Sequence, residues 1–326
     1  MTIRLGYQMP NFSYSGSVKE LFPKVIAQAR EAEAAGFDTA FVMDHFYQLP
    51  QIGTPDEPML EAYSALSALA TATDTIALSA LVTGNTYRNP AILAKTVTTL
   101  DVVSGGRAIL GIGAGWYELE HTSFGLEFGT FTDRFERLDE ALQIIEPMLR
   151  GQRPTFDGLW YQVEEAMNEP RIRDDLPIML GGGGEKKTFG LAAQFADHLN
   201  IICSPDELPR KLQAVQARCE EIDRDPKDLE TSFLASVIID EDGDKARSLQ
   251  SDYLLSKGVD LSTASDEEKR TATQGQFCGT PDDVAEQVKT RVLDKGVDGI
   301  IINLVTNGHE PGIVELAGKT LKPLVQ

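Results

Sequence analysis

The alternation of short apolar runs with longer amphipathic segments constrains the fold of this chain more than any other feature. The apolar runs, such as Ile3–Gln8 and Thr39–Met43, have the length of strands, and the intervening segments, such as Val18–Ala35, carry apolar residues at helical spacing. The runs are too apolar to expose one face to water. Parallel strands that are covered by helices on both sides have this character.

About eight such strand–helix units follow one another along the 326 residues. The predicted strands are Ile3–Gln8, Thr39–Met43, Ile76–Thr83, Ala108–Ile112, Pro177–Leu180, His198–Ile202, Thr231–Ile239 and Gly299–Leu304. The predicted helices are Val18–Ala35, Met59–Ala72, Pro90–Val103, Phe131–Leu149, Lys186–Phe195, Glu207–Ile222, Val284–Asp294 and Ile313–Leu321. The pattern favours a single α/β domain over residues 1–326, a (β/α)₈ TIM barrel, over the alternative of an open doubly wound sheet.

Two stretches interrupt this rhythm. Residues 151–176 are predicted to be an insertion with short strands, and residues 240–274 a polar, partly helical insertion. Both exceed an ordinary connection, and long loops of compact domains are commonly lids or binding loops. We expect the second insertion to be a mobile cover over the strand ends.

The charge of the chain bears on its partners. Lys and Arg number 30 against 50 Asp and Glu, a net charge of −20, so the surface field repels nucleic acid and anionic membranes. No apolar run approaches the ~20 residues of a membrane span. The cysteines, Cys203, Cys219 and Cys278, are widely spaced and read as reduced thiols. We therefore expect a cytoplasmic protein that acts on a small molecule.

Reactive groups of barrel enzymes lie at the carboxyl ends of the strands. The second predicted strand ends at Asp44-His45, which places one of only four histidines beside a carboxylate. Histidine titrates near neutrality, which suits proton transfer at cellular pH. The strand-end position favours a functional His45 over the alternative of a structural histidine.

Two glycine-rich turns follow other strands. Gly181–Gly184 precedes Glu185 and two lysines, Lys186 and Lys187. Its backbone N–H groups and the following helix could hold an anion, to which the two lysines would add positive charge; the alternative is a loop that needs positive φ. The GIGAGW segment at Gly111–Trp116 lacks the spacing of a Rossmann fingerprint and follows the fourth strand. It fits a close approach of backbone to a flat ligand, with Trp116 as a pocket wall.

Other catalytic patterns lack support. The four histidines and three cysteines show no metal-ligand spacing, and no G-x-S-x-G elbow occurs. The sequence therefore predicts no metal site and no serine hydrolase.

Four blocks of the sequence resemble the luciferase-like flavin and deazaflavin oxidoreductases. They read LGYQMPNF, AREAEAAGFDTAFVMDHF, LVTGNTYRNPAILAKTVTTLDVVSGGRAILGIGAGW and PIMLGGGGEKKTFGLAAQFAD. The resemblance runs from residue 3 to about residue 235 and returns at KGVDGIIINL. The D-H-F triplet at 44–46 is similar to the branch that uses coenzyme F420, a deazaflavin, whereas FMN monooxygenases more often carry E-H-H there.

The resemblance implies a set of site residues. Asp44 would contact the deazaflavin, and His45 would be the acid or base near its hydride-carrying carbon. A non-prolyl cis peptide would join Ala80 and Leu81, before Thr83, and its bulge would support the ring. The cofactor site would also contain Trp116, with the phosphate held by Gly182, Gly183 and Gly184. Relatives often form homodimers through helices that flank the second and third strands.

Two departures from the F420-dependent glucose-6-phosphate dehydrogenases put a sugar substrate in doubt. Trp116 stands where those enzymes carry a glutamate, and Leu49 where they carry a tryptophan. A pocket with Leu49, Trp116 and Tyr47 is less polar than a sugar-phosphate site. Candidates for a replacement acid are Glu118, Glu120 and His121.

The sequence thus predicts an F420-dependent oxidoreductase that transfers a hydride between deazaflavin C5 and a small organic substrate. One alternative is an FMN-dependent monooxygenase fed by a separate reductase, which the apolar Trp116 favours because oxygen chemistry benefits from a dry pocket. Another is a non-catalytic cofactor-binding protein.

Overall fold

A computed structural model describes residues 3–325, whose elements alternate between strand and helix. The strands are β1 (Leu5–Met9), β2 (Thr39–Val42), β3 (Ala77–Ala80), β4 (Thr83–Gly84), β5 (Leu110–Gly113), β6 (Phe156–Asp157), β7 (Gln162–Val163), β8 (Ile178–Gly182), β9 (His198–Ile201), β10 (Glu230–Ile239), β11 (Gln276–Gly279) and β12 (Gly299–Asn303). The α-helices are α1 (Val18–Ala35), α2 (Ala62–Ala70), α3 (Pro90–Ser104), α4 (Glu118–Phe124), α5 (Phe131–Leu149), α6 (Lys187–Phe195), α7 (Leu208–Glu220), α8 (Gly243–Ser256), α9 (Asp266–Thr273), α10 (Pro281–Arg291) and α11 (Ile313–Leu321).

The main sheet closes on itself. Its strand order is β3-β2-β1-β12-β10-β9-β8-β5-β4, and the paired strands run parallel. Strands β3 and β4 share one position, because Leu78 bridges Ala108 just before β5 and Thr83 pairs with Ile112 inside it. Eight strand positions therefore form the ring, and the predicted (β/α)₈ barrel is confirmed.

Local sequence accounts for the helices that cover the ring. Helix α1 begins at a capping box made by Ser17 and Glu20 and ends at Gly36, which adopts the left-handed conformation (φ 90°) that glycine tolerates. Its buried face includes Val25 and Ala29, which pack on the barrel. The bounds of α1, α5 and α11 are those predicted from the helical spacing.

Two elements were not predicted. Helix α4 buries only Glu120 and His121, so it shows no apolar period from which a helix could be inferred. Strand β11 adds to β10 in parallel outside the ring, and it directly follows the second insertion.

Both insertions have internal structure. Residues 151–176 contain the antiparallel pair β6–β7, and residues 240–274 contain α8 and α9, so the short strands and the partly helical insertion both occur as expected. At the end of α8, the Tyr253 hydroxyl donates to the Gln51 carbonyl, and Lys257 Nζ donates to the Pro50 carbonyl at 3.1 Å. The insertion thus contacts the loop that follows β2. Its predicted mobility stays a prediction.

Within residues 3–325, no helix combines the length and the apolar character that a bilayer crossing requires.

Candidate active site

A cavity of about 540 Å³ opens at the carboxyl ends of the barrel strands. Its lining includes Gln8, Asp44, His45, Leu49, Leu81, Val82, Thr83, Gly84, Tyr87, Trp116, Arg134, Gly181, Gly182, Gly183, Gly184 and Asn303. The cavity therefore brings together the predicted catalytic and cofactor-binding residues except Ala80, which is buried in β3, and the predicted pocket residue Tyr47 is also absent from its described lining. Its volume is within the range of small-molecule and cofactor sites.

The predicted position of the cis peptide is wrong by one residue. The non-prolyl cis bond joins Leu81 and Val82, not Ala80 and Leu81. Pairing with β2 continues through this point: Ala80 pairs with Val42, and the Leu81 amide still donates to the Val42 carbonyl at 2.9 Å. The chain consequently leaves strand geometry only after Leu81. Leu81 and Val82 both line the cavity, and the expected support of a cofactor ring by this bulge stays a prediction.

His45 is held by a buried carboxylate. Its Nδ1 lies 2.9 and 3.2 Å from the two oxygens of Glu120, whose side chain is fully buried. Glu120 also accepts from the backbone N–H groups of Phe46 (2.5 Å) and Tyr47 (3.2 Å), and from the Tyr87 hydroxyl. Burial works to raise the pKa of Glu120, but the bonds from His45 and these donors outweigh it and lower the pKa below its ordinary value.

This contact determines which nitrogen of His45 faces the cavity. A carboxylate only accepts hydrogen bonds, so Nδ1 carries the proton that it donates to Glu120. In the neutral ring Nε2 is then the bare nitrogen, and within residues 3–325 it has no hydrogen-bond partner. His45 lines the cavity with 14% of its side chain exposed. It can accept or donate a proton there.

Asp44 has a different partner. Arg88 donates to both of its oxygens, at 2.6 and 2.9 Å, and the Gly84 amide donates to one of them at 3.1 Å. Arg88 also donates to Glu61 at 2.7 Å. Burial works to lower the pKa of Arg88, but its bonds to the two carboxylates prevail and raise it. A carboxylate has about four acceptor positions, so about one remains on Asp44.

Aromatic rings form the outer wall. Trp116 is 53% exposed, and its ring stacks on Tyr117 with centroids 5.2 Å apart. The edge of the pair lies against His45, whose ring centroid is 5.8 Å from that of Trp116. The predicted role of Trp116 as a pocket wall agrees with this position.

The glycine loop after β8 accepts close neighbours. A Cβ on Gly183 would lie 2.3 Å from the Ile202 carbonyl oxygen, and Gly182 adopts a φ of 152°. The cation that contacts this loop is Lys211, whose Nζ donates to the Gly183 carbonyl at 2.7 Å. Of the two lysines expected to supply positive charge, Lys187 instead lies over aromatic rings. No sequence signal pointed to Lys211, because it follows the loop by 28 residues.

The three candidate replacement acids have separate positions. Glu118 is exposed, Glu120 binds His45, and His121 is buried with Nε2 2.7 Å from the Thr86 hydroxyl and Nδ1 2.8 Å from a backbone carbonyl. Among the described residues, none of the three lines the cavity. We therefore assign none of them to direct contact with substrate.

The described geometry can be compared with known proteins. The model of the luciferase-like monooxygenase family matches residues 3–299. The chain belongs to this family. The predicted family is thus confirmed.

Two of three similar proteins carry F420 in their names. A 5,10-methylenetetrahydromethanopterin reductase of Methanolobus tindarius is 28% identical over 91% of this chain and 95% of its own length. An F420-dependent glucose-6-phosphate dehydrogenase of Nakamurella multipartita is 30% identical over 72% of this chain and 69% of its own. Among solved structures, an F420-dependent secondary alcohol dehydrogenase in complex with an F420-acetone adduct superimposes with a TM-score of 0.79 at 22% identity, covering both chains fully. The predicted class, luciferase-like F420-dependent oxidoreductases, is the class of these relatives.

Proposed function

We propose that this protein is an F420-dependent oxidoreductase that transfers a hydride between deazaflavin C5 and a small organic substrate. The observation that carries the proposal is His45, which lines the cavity with its Nδ1 tied to Glu120 and its Nε2 without a partner within residues 3–325. The names of the F420-dependent relatives support F420 as the cofactor.

The cavity suits a flat cofactor that carries a phosphate. Cβ atoms on Gly181 and Gly183 would lie 2.8 Å from the Val82 side chain and 2.3 Å from the Ile202 carbonyl oxygen, so glycine is what lets these parts of the cavity wall pack closely. Opposite them, the Oδ1 atom of the buried Asn303 has no partner in the described chain and can accept from a ring N–H. Leu81, Val82 and Thr83 would support the ring, Trp116 would close its outer side, and Gly182–Gly184 with Lys211 would hold the phosphate.

Bound deazaflavin supplies a carbon that accepts and releases a hydride, without the ready oxygen reactivity of reduced flavin. The protein's own task is to place substrate over that carbon and to manage one proton. We assign the proton to His45 Nε2. Glu120 would hold the ring in the Nδ1–H tautomer and stabilise the imidazolium when Nε2 is protonated.

We propose two roles for Asp44. Its bonds to Arg88 and Gly84 anchor the wall of the cavity, and its remaining acceptor position is available to the edge of the cofactor. The first role follows from contacts that exist without cofactor. The second is the sequence-based prediction, which we retain as a proposal.

A second candidate is an FMN-dependent monooxygenase. The apolar Trp116 at the cavity mouth favours it, because a pocket that excludes water protects oxygenated intermediates. The triplet Asp44-His45-Phe46 favours F420 instead.

Titration of the purified apoprotein with oxidised F420 and, in parallel, FMN distinguishes the two candidates. Quenching of cofactor fluorescence measures both dissociation constants. We expect F420 to bind more tightly than FMN. Submicromolar binding of FMN with none of F420 would overturn the proposal.

We further propose a homodimer in the cytoplasm. Helix α3 exposes Ile92, Val102 and Val103, and it flanks the third strand position. The cysteines Cys203, Cys219 and Cys278 are unpaired, which agrees with a reducing compartment. Light scattering coupled to size exclusion tests the assembly, and a monomer mass at micromolar concentration would contradict it.

A further inference from the structure

Six residues of the cavity lining have apolar side chains, and together we call them the apolar wall. Its side chains are thioether, aliphatic and aromatic, and they come from five separate parts of the chain. They belong to Met43, Leu49, Ile52, Trp116, Phe131 and Leu234. This wall can bury the apolar body of a substrate, and each buried methylene contributes about 0.8 kcal/mol.

The charged side chains of the cavity already have partners. Among the lining residues they are Asp44, His45 and Arg134. Asp44 is bound by Arg88, and His45 donates to a buried carboxylate.

Arg134 is the cation of the cavity lining, and it follows Phe131 of the apolar wall by three residues in α5. It donates to the carbonyls of Gly115 at 3.1 Å and Gly129 at 2.9 Å, and its guanidinium lies 3.9 Å from the centroid of the Phe128 ring. No other Lys or Arg of the described residues lines the cavity. Arg134 directs its Nε and Nη1 to backbone carbonyls, and the described lining offers a substrate phosphate or carboxylate no second cation. Burying an unpaired anion is costly.

We infer that the substrate is an uncharged molecule with an apolar body and one carbonyl group, or the corresponding alcohol in the reverse direction. This inference rests on the proposed function and names the substrate class of that site. A carbonyl oxygen can accept a hydrogen bond from protonated His45 Nε2, which orients the carbonyl. A carbon–carbon double bond offers no comparable acceptor.

In the direction of reduction, the carbonyl carbon would gain a hydride supplied by reduced deazaflavin held in the cavity, and the C=O π electrons would move to the oxygen. That oxygen takes the Nε2 proton of His45. The carbonyl is reduced to an alcohol, the deazaflavin is oxidised, and neutral His45 regains a proton from water.

A matched pair of ketones tests the substrate class. Cyclohexanone and 4-oxocyclohexanecarboxylate share the ring and the carbonyl and differ by one charge. With reduced F420, we expect kcat/KM for the neutral ketone to exceed that for the keto acid by roughly 100-fold or more, because the acid would bury an unpaired carboxylate. Equal values, or a preference for the keto acid, would overturn the inference.

A pair of variants tests whether the cavity wall causes the preference for the neutral ketone over the keto acid. Leu49→Arg adds a cation to the apolar wall and should narrow or reverse the preference, whereas Ile222→Arg adds the same charge at a site that is 51% exposed and outside the cavity lining, and should leave it unchanged. An unchanged preference in Leu49→Arg would show that the apolar wall does not select the substrate.

If the enzyme turns over neither ketone, ligand binding is measured instead. Each ligand is then titrated against enzyme loaded with oxidised F420, with cofactor absorbance as the readout, up to the solubility limit. Binding of the neutral ketone alone supports the inference, and binding of the keto acid alone, of both equally, or of neither contradicts it. Failure of F420 itself to bind would instead overturn the proposed function, so the two failures are distinguishable.

Discussion

Asp44 and His45 are neighbours in sequence, yet their surroundings in the barrel differ in kind. Asp44 pairs with Arg88, a group that stays protonated at any ordinary pH, and a backbone amide takes a third acceptor position. His45 pairs with Glu120 through one nitrogen only, and the other nitrogen has no partner within residues 3–325. The first pair is closed and holds the wall of the cavity. The second leaves a titratable atom available to a ligand.

The comparison teaches that two adjacent polar residues at a strand end need not share a role. A salt bridge between two fixed charges can position backbone and side chains, but it cannot exchange a proton. A histidine with one nitrogen on a carboxylate can do so, because the carboxylate sets the tautomer and leaves the second nitrogen reactive. Substitutions at the two positions should therefore have different effects on turnover and on stability.

The largest expected effect is at His45. His45→Ala should lower turnover by roughly 10²–10⁴, the usual range for loss of a general acid or base, and leave the F420 dissociation constant within a few-fold. Single-turnover kinetics and F420 titration measure the two quantities. Normal turnover per folded molecule, with a lowered melting temperature, would show that His45 is structural.

Asp44→Asn should act mainly on stability. It keeps an acceptor for the Gly84 amide but removes the charge that pairs with Arg88, and loss of one partner of a buried ion pair costs roughly 3–5 kcal/mol. We expect a loss of about 3 kcal/mol, since Arg88 retains Glu61. Urea unfolding measures it. An unchanged free energy of unfolding with weakened F420 binding would assign Asp44 to the cofactor alone.

Glu120→Gln sharpens the comparison on the histidine side. Loss of a hydrogen bond to a charged group, about 1.5–3 kcal/mol, should lower turnover by roughly tenfold to a hundredfold, with little change in KM. Nitrogen-15 NMR should also show a mixture of His45 tautomers in place of the Nδ1–H form.

Glu118→Gln is the matched control, because Glu118 lies on the same helix α4 and is exposed. It should change neither turnover nor tautomer. Equal losses in both variants, or a single Nδ1–H tautomer in Glu120→Gln, would remove the positioning role of Glu120.

The smallest effect concerns pH. The pKa of Glu120 is lowered in the fold, because its hydrogen bonds outweigh the opposing effect of burial. An unfolded Glu titrates near about 4.3, so the extra stability is present above that pH and is lost as pH falls through the lower folded pKa. The wild type should therefore lose stability in acid faster than Glu120→Gln. Unfolding free energies with the same acid dependence in both proteins would contradict this.

Much of the fold could be predicted from the chain because periodicity reports burial. The bounds of α1, α5 and α11 agree with the helical spacing, and each barrel strand lies at or within two residues of a predicted run. The strand ends also identified Asp44, His45 and the glycine loop. These are local patterns, and each can be read without knowledge of distant partners.

The partners of these residues could not be predicted, because they depend on contacts across the barrel. Glu120 lies 75 residues from His45, and Arg88 lies 44 residues from Asp44. At such separations, nothing in the sequence indicates that the two residues of each pair are in contact. Helix α4 buries polar side chains, so its sequence lacks an apolar face. The cis peptide follows Leu81 because pairing with β2 continues to that residue, and no local residue type marks where such pairing stops.

The most direct test of the cofactor assignment is F420 titration of the wild type and of two glycine variants in the same part of the barrel. A Cβ on Gly184 would lie 3.0 Å from the Thr188 hydroxyl, within the loop proposed to hold phosphate, whereas a Cβ on Gly190 in α6 would meet no atom within 4 Å. We predict that F420 binds the wild type, that Gly184→Ala weakens binding by roughly tenfold, about 1.4 kcal/mol, and that Gly190→Ala leaves it unchanged. Equal F420 affinity in all three proteins would place the phosphate elsewhere, and absence of F420 binding to the wild type would contradict the account.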